Sequence, residues 1–152
     1  MGLLEDMIAA HDVQWRDLDA LGVGVGPGNF TGIRIAISAA RGLGLGLGIP
    51  VVGVSQFDTT RRLSGQAQTA VPAPRDHVYF HDATTALPPV LIPTGKVTTA
   101  ASATNHDTEN HVRTIATIAA ERAQADTPAP KPLYIKPPDA APARDAPPRM
   151  LP

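Results

Sequence analysis

Near the N-terminus the apolar residues Leu3, Leu4, Met7 and Ile8 recur at the spacing of one helix face. Glu5 and Asp6 stand near the start of that stretch, the end of a helix that favours acids. The pattern predicts a helix over residues 2–11. Asp12 to Asp17 form a connector, in which Trp15 is either a packing residue or a binding platform. Leu18 to Val25 is apolar enough to be a strand buried on both faces, as parallel strands are. Val51-Val-Gly-Val is a second short buried strand. Ser55 and Asp58 suit the cap of a helix over 57–64, although the C-terminal end of a strand is also where open α/β sheets place ligands. Further on, Val112, Ile115, Ala119 and Ala123 share a stripe that predicts a helix over 112–123, starting at Asp107 or Thr108.

The segment between the two strands is ambiguous. Ile33, Ile37, Ala40 and Leu47 fit a helical stripe, whereas Gly42-Leu-Gly-Leu-Gly-Leu-Gly alternates with period two. Gly42, Gly44 and Gly46 each cost about 1 kcal/mol relative to alanine in a helix interior. A helix over Thr31 to Leu47 is nevertheless expected, because a second parallel strand at Val51 requires a crossover before it. Gly42 and Gly46, four apart, would share a face open to close approach by another backbone. That backbone belongs either to the chain's own sheet or to another subunit. Gly48-Ile-Pro marks the stop, since glycine suits the residue after a helix and proline cannot continue it.

Chemistry concentrates in Gly26-Pro-Gly-Asn-Phe-Thr-Gly-Ile-Arg34, a strand-turn-helix junction. Glycine reaches positive φ without strain, Pro27 fixes one dihedral, and Asn29 or Thr31 can cap the helix. A helix N-terminus attracts phosphate, but Gly24, Gly26, Gly28 and Gly32 do not fit G-x-G-x-x-G. There is no Gly-Lys-Ser/Thr ending, and Pro27 removes a donor. A phosphate site and a structural turn are the competing readings. If His77-Val-Tyr-Phe-His81 is a strand, His77, Tyr79 and His81 project to one side, but no third metal ligand has suitable spacing. His106 and His111 are five apart, which spoils the one-face geometry of a helical pair.

Composition narrows the classes. Among 152 residues, 43% are apolar, enough for a core, and the net charge is −1, which gives no global field for a polyanion. The absence of cysteine excludes disulfides and thiolate chemistry. Prolines, 16 in all, crowd after residue 70. From Asp126 onward only Leu133-Tyr-Ile135 reads as a short edge strand, and Pro137 onward should be extended or disordered. Acids at the N-terminus do not suit a signal peptide, and the low-charge run Ile35 to Val54 is interrupted by Arg41, glycines and Pro50. A soluble cytoplasmic protein is the expectation.

The junction, with Ala39-Ala-Arg-Gly-Leu and Leu47-Gly-Ile-Pro-Val-Val-Gly-Val-Ser, resembles the signature of the TsaB (YeaZ) family: GPGSFTGLR, an ATAKGL helix and LGIPLVGVSSL. The likeness is dense over residues 18–57 and returns at Pro132-Leu-Tyr-Ile-Lys-Pro-Pro-Asp-Ala, similar to PLYLRPPDA. It implies an incomplete actin-like ATPase, ribonuclease-H-like α/β fold, with a helix over Thr31 to Leu47 and a strand at His77-Val-Tyr-Phe-His81. Residues 1–64 would be the core, 65–125 a shortened second subdomain and 126–152 a proline-rich tail. It also implies a non-catalytic partner of TsaD, which transfers threonylcarbamoyl to N6 of adenosine 37 in tRNA. TsaE, an ATPase, joins that assembly, so ATP and magnesium would enter with the complex and tRNA would be met indirectly.

The resemblance further implies pairing with TsaD, or with a second copy, through a helical bundle. Leu4 and Ile8 of the first helix and Ile37, Arg41, Gly42, Leu45 and Gly46 of the second would form the seam. Older annotation called such relatives glycoproteases (family M22), but no protease nucleophile or metal set is evident. Family members normally start with a further β-hairpin that carries an Asp-Thr-Ser motif. Its absence here leaves the strand at 18–25 with an exposed edge. A misassigned start, a degenerate remnant or coverage by another chain would each account for that. The rival function is a nucleotide-binding or ATP-hydrolysing enzyme that uses the turn from Gly26 to Gly32.

Overall fold

The computed structural model describes residues 2–135. In chain order it has α1 (Gly2–Ala9), β1 (Leu21–Gly24), α2 (Phe30–Leu47), β2 (Val51–Val54), α3 (Gln56–Ser64), β3 (Gln68–Ala73), β4 (His77–Asp82), β5 (Val90–Pro93), β6 (Ala101–Ser102) and α4 (Thr108–Arg122). β1 and β2 run parallel in register from Leu21 opposite Val51 to Gly24 opposite Val54, with α2 as the crossover. This small sheet is covered on both faces, which explains its near-continuous valine. On one side Val23, Val25 and Val51 pack with Ile37 of α2. On the other, Val52 and Val54 pack with Ile118 and Ala119 of α4.

Two glycines set how closely these layers approach. A Cβ at Gly22 would stand 2.8 Å from Ile115 Cγ2 and 2.9 Å from Ala119 Cβ, so α4 lies against bare backbone. A Cβ at Gly44 would fall 2.2 Å from Val51 Cγ2 and 3.1 Å from the Ile49 carbonyl oxygen. The glycine-alternating stretch is therefore helix, as expected, and its period-two pattern has a helical use. Gly44 is buried, while Gly42 and Gly46 face outward with nothing within 4 Å of an added Cβ. Gly48, at φ 71, ends α2 in the left-handed region.

A second sheet has the order β5-β4-β3-β6, with β3 antiparallel to β4 and parallel to β6. The fold class is the expected α/β one, but sequence reading foresaw β4 alone of these four strands. Pro72 hides β3, since proline argues against a central strand. β6 reaches only Thr69 and Ala70, so at Pro72 β3 has a neighbour on one side. Phe57 of α3 packs with Val71 and Ala103, and Tyr79 and Ile135 join them. The α3–α4 contact is reinforced by Arg62 to Glu121 and by Arg122 to Asp58 at 3.0 Å.

Several boundaries need correction. α1 ends at Ala9, a 3-10 turn occupies Trp15–Asp17, and the first strand is trimmed to Leu21–Gly24. α2 starts one residue early, at Phe30, and α4 starts at Thr108 behind an Asp107 cap. Leu133 to Ile135 is not a strand. The expected extended tail from Pro137 lies outside the described residues.

Gly44→Ala should destabilise the protein by about 1–3 kcal/mol, the usual scale for overpacking. Gly42→Ala, in open space, should stabilise it by up to about 1 kcal/mol through helix propensity. Urea midpoints of the two variants should therefore move in opposite directions.

Candidate functional site

The turn after β1 is held at each end by backbone. Val25 N–H donates to the Val54 carbonyl at 3.0 Å, and the Gly26 carbonyl accepts from Gln56 N–H at 2.8 Å. The β1–α2 and β2–α3 junctions are thereby tied together. Gly26 has φ 104 and leads through a cis peptide to Pro27, which is buried. Its own Cβ would sit 2.8 Å from Ile33 Cδ1, so both conformation and space require glycine here. Asn29, not Thr31, caps α2: its side-chain oxygen accepts from Gly32 N–H at 2.7 Å. Gly28 and Thr31 are exposed beside it.

A segment a hundred residues away closes over this turn. Leu133 N–H donates to the Val25 carbonyl at 2.8 Å. The Tyr134 ring stacks on Phe30 with centroids 5.0 Å apart, and Arg34 lies over Phe30 with its guanidinium carbon 4.5 Å from the ring centre. Arg34 Nε donates to the Tyr134 hydroxyl oxygen at 3.0 Å. Gly26-Pro-Gly-Asn-Phe-Thr-Gly-Ile-Arg and Pro132-Leu-Tyr-Ile are thus two halves of one structure. Sequence reading missed the junction; an isolated Leu-Tyr-Ile in a proline-rich stretch was the available signal.

A family model described as "TsaD: tRNA N6-adenosine threonylcarbamoyltransferase" matches residues 1–83, more than half of the chain and the whole glycine turn. The chain belongs to this TsaD family. Among solved structures, it is similar to an uncharacterized protein from Pseudomonas aeruginosa titled as having similarity to peptidase YEAZ. Identity is 21% and the TM-score 0.62, over 88% of this chain and 81% of that one. It is also similar to YeaZ from Pseudomonas aeruginosa, with 22% identity and a TM-score of 0.59, over 86% and 80%. These likenesses show a shared fold. A comparison with curated proteins finds no match. The TsaB (YeaZ) resemblance read from the sequence is borne out in the fold, and the TsaD family match connects the chain in general terms to threonylcarbamoyl modification of tRNA. The family model itself is named for a transferase.

The residues that the TsaB resemblance assigns to a partner seam divide. Leu45 is 87% exposed, and Arg41, Gly42 and Gly46 are exposed around it. Leu4 is exposed and Ile8 half-buried on α1. Ile37 is 4% exposed and faces the sheet with Val23, Val25 and Val51, so a partner cannot reach it. The outward face instead carries Ile35, 64% exposed, which sequence reading passed over.

At the C-terminal ends of β1 and β2 lies a cleft of about 300 Å³ lined by Gly24, Gly26, Ser55, Gln56, Thr59 and His111, among others. Its lining contains neither lysine, arginine nor a carboxylate. His111 is engaged on both sides, with Nδ1 2.7 Å from Thr59 Oγ1 and Nε2 2.9 Å from the Ala103 carbonyl oxygen. His106, just before α4, meets it edge to face at 6.1 Å. His77, Tyr79 and His81 alternate along β4 as expected, but Tyr79 and His81 rest on the fold, while His77 Nδ1 meets the Arg75 carbonyl oxygen. Tyr79 packs beside Phe57, and the His81 ring lies 5.4 Å from the Phe57 ring. Among the described residues no group of three or more side chains is placed to hold a metal ion.

Ser55 and Asp58 form a reciprocal cap on α3: Ser55 Oγ accepts from Asp58 N–H at 3.0 Å, and Asp58 Oδ2 accepts from Ser55 N–H at 3.1 Å. Burial would raise the Asp58 carboxyl, but hydrogen bonds from Ser55 and Arg122 and the charge of Arg122 outweigh it. Its pKa is held below the ordinary 3.8. A depressed carboxylate contributes stability above its unfolded value, and that contribution is lost as pH falls through the folded value. Stability should therefore fall below about pH 4, and Asp58→Asn should flatten the slope in acid denaturation curves. Asp82, held low by Thr84 and Gln68, acts in the same direction.

Tyr134→Ala should cost about 1–2 kcal/mol by loss of the ring stack and the Arg34 acceptor. Tyr134→Phe should keep most of the stacking share. Thermal midpoints of the two variants would separate these contributions.

Proposed function

We propose that this chain is a non-catalytic, TsaB-like scaffold that supports a TsaD-like subunit in threonylcarbamoylation of adenosine 37 of tRNA. The observation that carries the reading is the bare outer face of α2. Ile35 and Leu45 project from an 18-residue helix with Gly42 and Gly46 open beside them. Exposed aliphatic side chains beside glycines suit helix-on-helix packing, because a neighbouring helix can approach the glycine backbone closely. Leu4 and Met7 of α1 add exposed apolar surface of the same kind.

The strand-end cleft supports the non-catalytic part of this reading. A nucleotide needs cationic or backbone donors for its phosphates and carboxylates for magnesium. The cleft is lined by hydroxyls, an amide, a histidine and apolar groups, and Asn29 already occupies Gly32 N–H at the adjoining helix start. Catalysis, ATP and magnesium would then reside with the TsaD-like and TsaE-like partners, tRNA would be met through them, and the assembly would work in the cytoplasm. No helix among the described residues is long and apolar enough to cross a membrane.

Leu45→Arg tests the face, since arginine near the C-terminal end of a helix is electrostatically favourable and an exposed site tolerates it. Co-purification with the TsaD-like subunit, and adenosine modification by the reconstituted set, should drop at least about tenfold, the equivalent of about 1.4 kcal/mol, while the thermal midpoint stays unchanged. Modification that proceeds equally well without this chain would remove the scaffold reading.

A further inference from the structure

A surface arginine normally turns freely, but Arg34 is held at two points. Its guanidinium lies over the Phe30 ring, 4.5 Å from the centre, and its Nε–H donates to the Tyr134 hydroxyl oxygen at 3.0 Å. These contacts engage one face of the group and the nitrogen nearest its stem. The two terminal nitrogens make no hydrogen bond or ion pair among the described residues, so their N–H donors point a fixed fork outward. A planar fork fixed in this way loses little freedom on meeting a carboxylate or a phosphate.

The rings beside the fork keep part of their surface in water. Phe30 is 38% and Tyr134 40% exposed although the two stack on each other. Open aromatic area next to a fixed cation is the arrangement on which a nucleic acid base stacks while its phosphate is bonded. A carboxylate would satisfy the fork and leave the rings uncovered; a nucleotide uses both.

Local charge favours an anion as well, despite the net charge of −1. The two stretches that meet here, residues 20–57 and 127–135, contain Arg34, Arg41 and Lys131 but no aspartate or glutamate. All three cations are exposed, and none is in an ion pair among the described residues. Asp58, one residue further, is already shared by Arg61 and Arg122. Arg34 and Leu45 are eleven positions apart, about three helical turns, so the cluster lies on the outer face of α2 about 16 Å along the axis from Leu45. A strand of RNA held by a partner on that face would pass within its reach.

We propose that Phe30, Arg34 and Tyr134 form a contact for single-stranded RNA, the nucleic acid named in the family match. One base stacks on the open ring surface, and the adjoining phosphate is bonded by the terminal nitrogens of Arg34. The placement beside a partner rests on the scaffold reading, but the contact goes beyond it, because there the partners alone hold the RNA. Binding is measured on this chain by itself, so a failure here leaves the scaffold reading standing.

The probe is fluorescein-labelled heptauridylate, titrated with the full chain and followed by anisotropy. Saturable binding is expected, with a Kd near or below about 100 µM. A twin of abasic ribose phosphates should bind at least about fivefold more weakly, the loss of one base stack. Arg34→Gln, at an exposed position, should weaken binding and reduce the slope of log K against log salt by about 0.7, one phosphate contact on a single strand. Tyr134→Phe keeps the ring and releases the fork, so its affinity should lie between those of Arg34→Gln and the parent; circular dichroism checks that each variant is folded. Absence of saturable binding, equal binding of the abasic twin, or an unchanged slope in Arg34→Gln would overturn the proposal. So would tighter binding of the deoxyribose twin, or of a glutamate-rich peptide that depends on Arg34, since the occupant would then be DNA or an acidic protein segment.

Discussion

Everything in this fold depends on how closely two helices approach a sheet that, among the described residues, has two strands. So narrow a sheet buries little area of its own, and its stability comes from layers pressed on both faces. Gly22 lets α4 rest on the backbone of β1, and Gly44 lets α2 descend onto Val51. With α2 and α4 seated, the valines of β1 and β2 become a continuous core that joins sheet and helices.

The glycine turn inherits its shape from that seating. β1 and β2 end side by side, so the Gly26 carbonyl can reach Gln56 and the cap of α2 starts beside the cap of α3. The same arrangement leaves α2 with one face on the sheet and one outside. A single helix can thus serve as crossover and as exposed surface, because its small residues are divided: Gly44 inward, Gly42 and Gly46 outward.

Much of this was legible in the residues. The strand Val51–Val54, the turn, the α3 cap at Ser55 and Asp58, and the stripe of α4 follow local rules that tertiary context did not override. Gly42 to Gly48 was harder, since propensity opposed helix, and the family resemblance and the need for a crossover favoured it. Choosing which glycine packs required knowing where Val51 would stand, which no local pattern states. β3, β5 and β6 escaped because proline and short length mask their alternation. The Tyr134 clasp escaped because contacts between positions a hundred residues apart leave no periodic trace, even though both motifs were noticed separately.

The clasp bears on the order in which the protein is made. Synthesis proceeds from the N-terminus, and domains tend to fold as their segments emerge. The glycine turn and α2 can take shape early, but Phe30 and Arg34 stay uncovered until Leu133 and Tyr134 have left the ribosome. Contacts of such long sequence separation form slowly. A nascent or prematurely stopped polypeptide therefore presents an unfinished surface, and only a chain translated through Tyr134 offers the completed one.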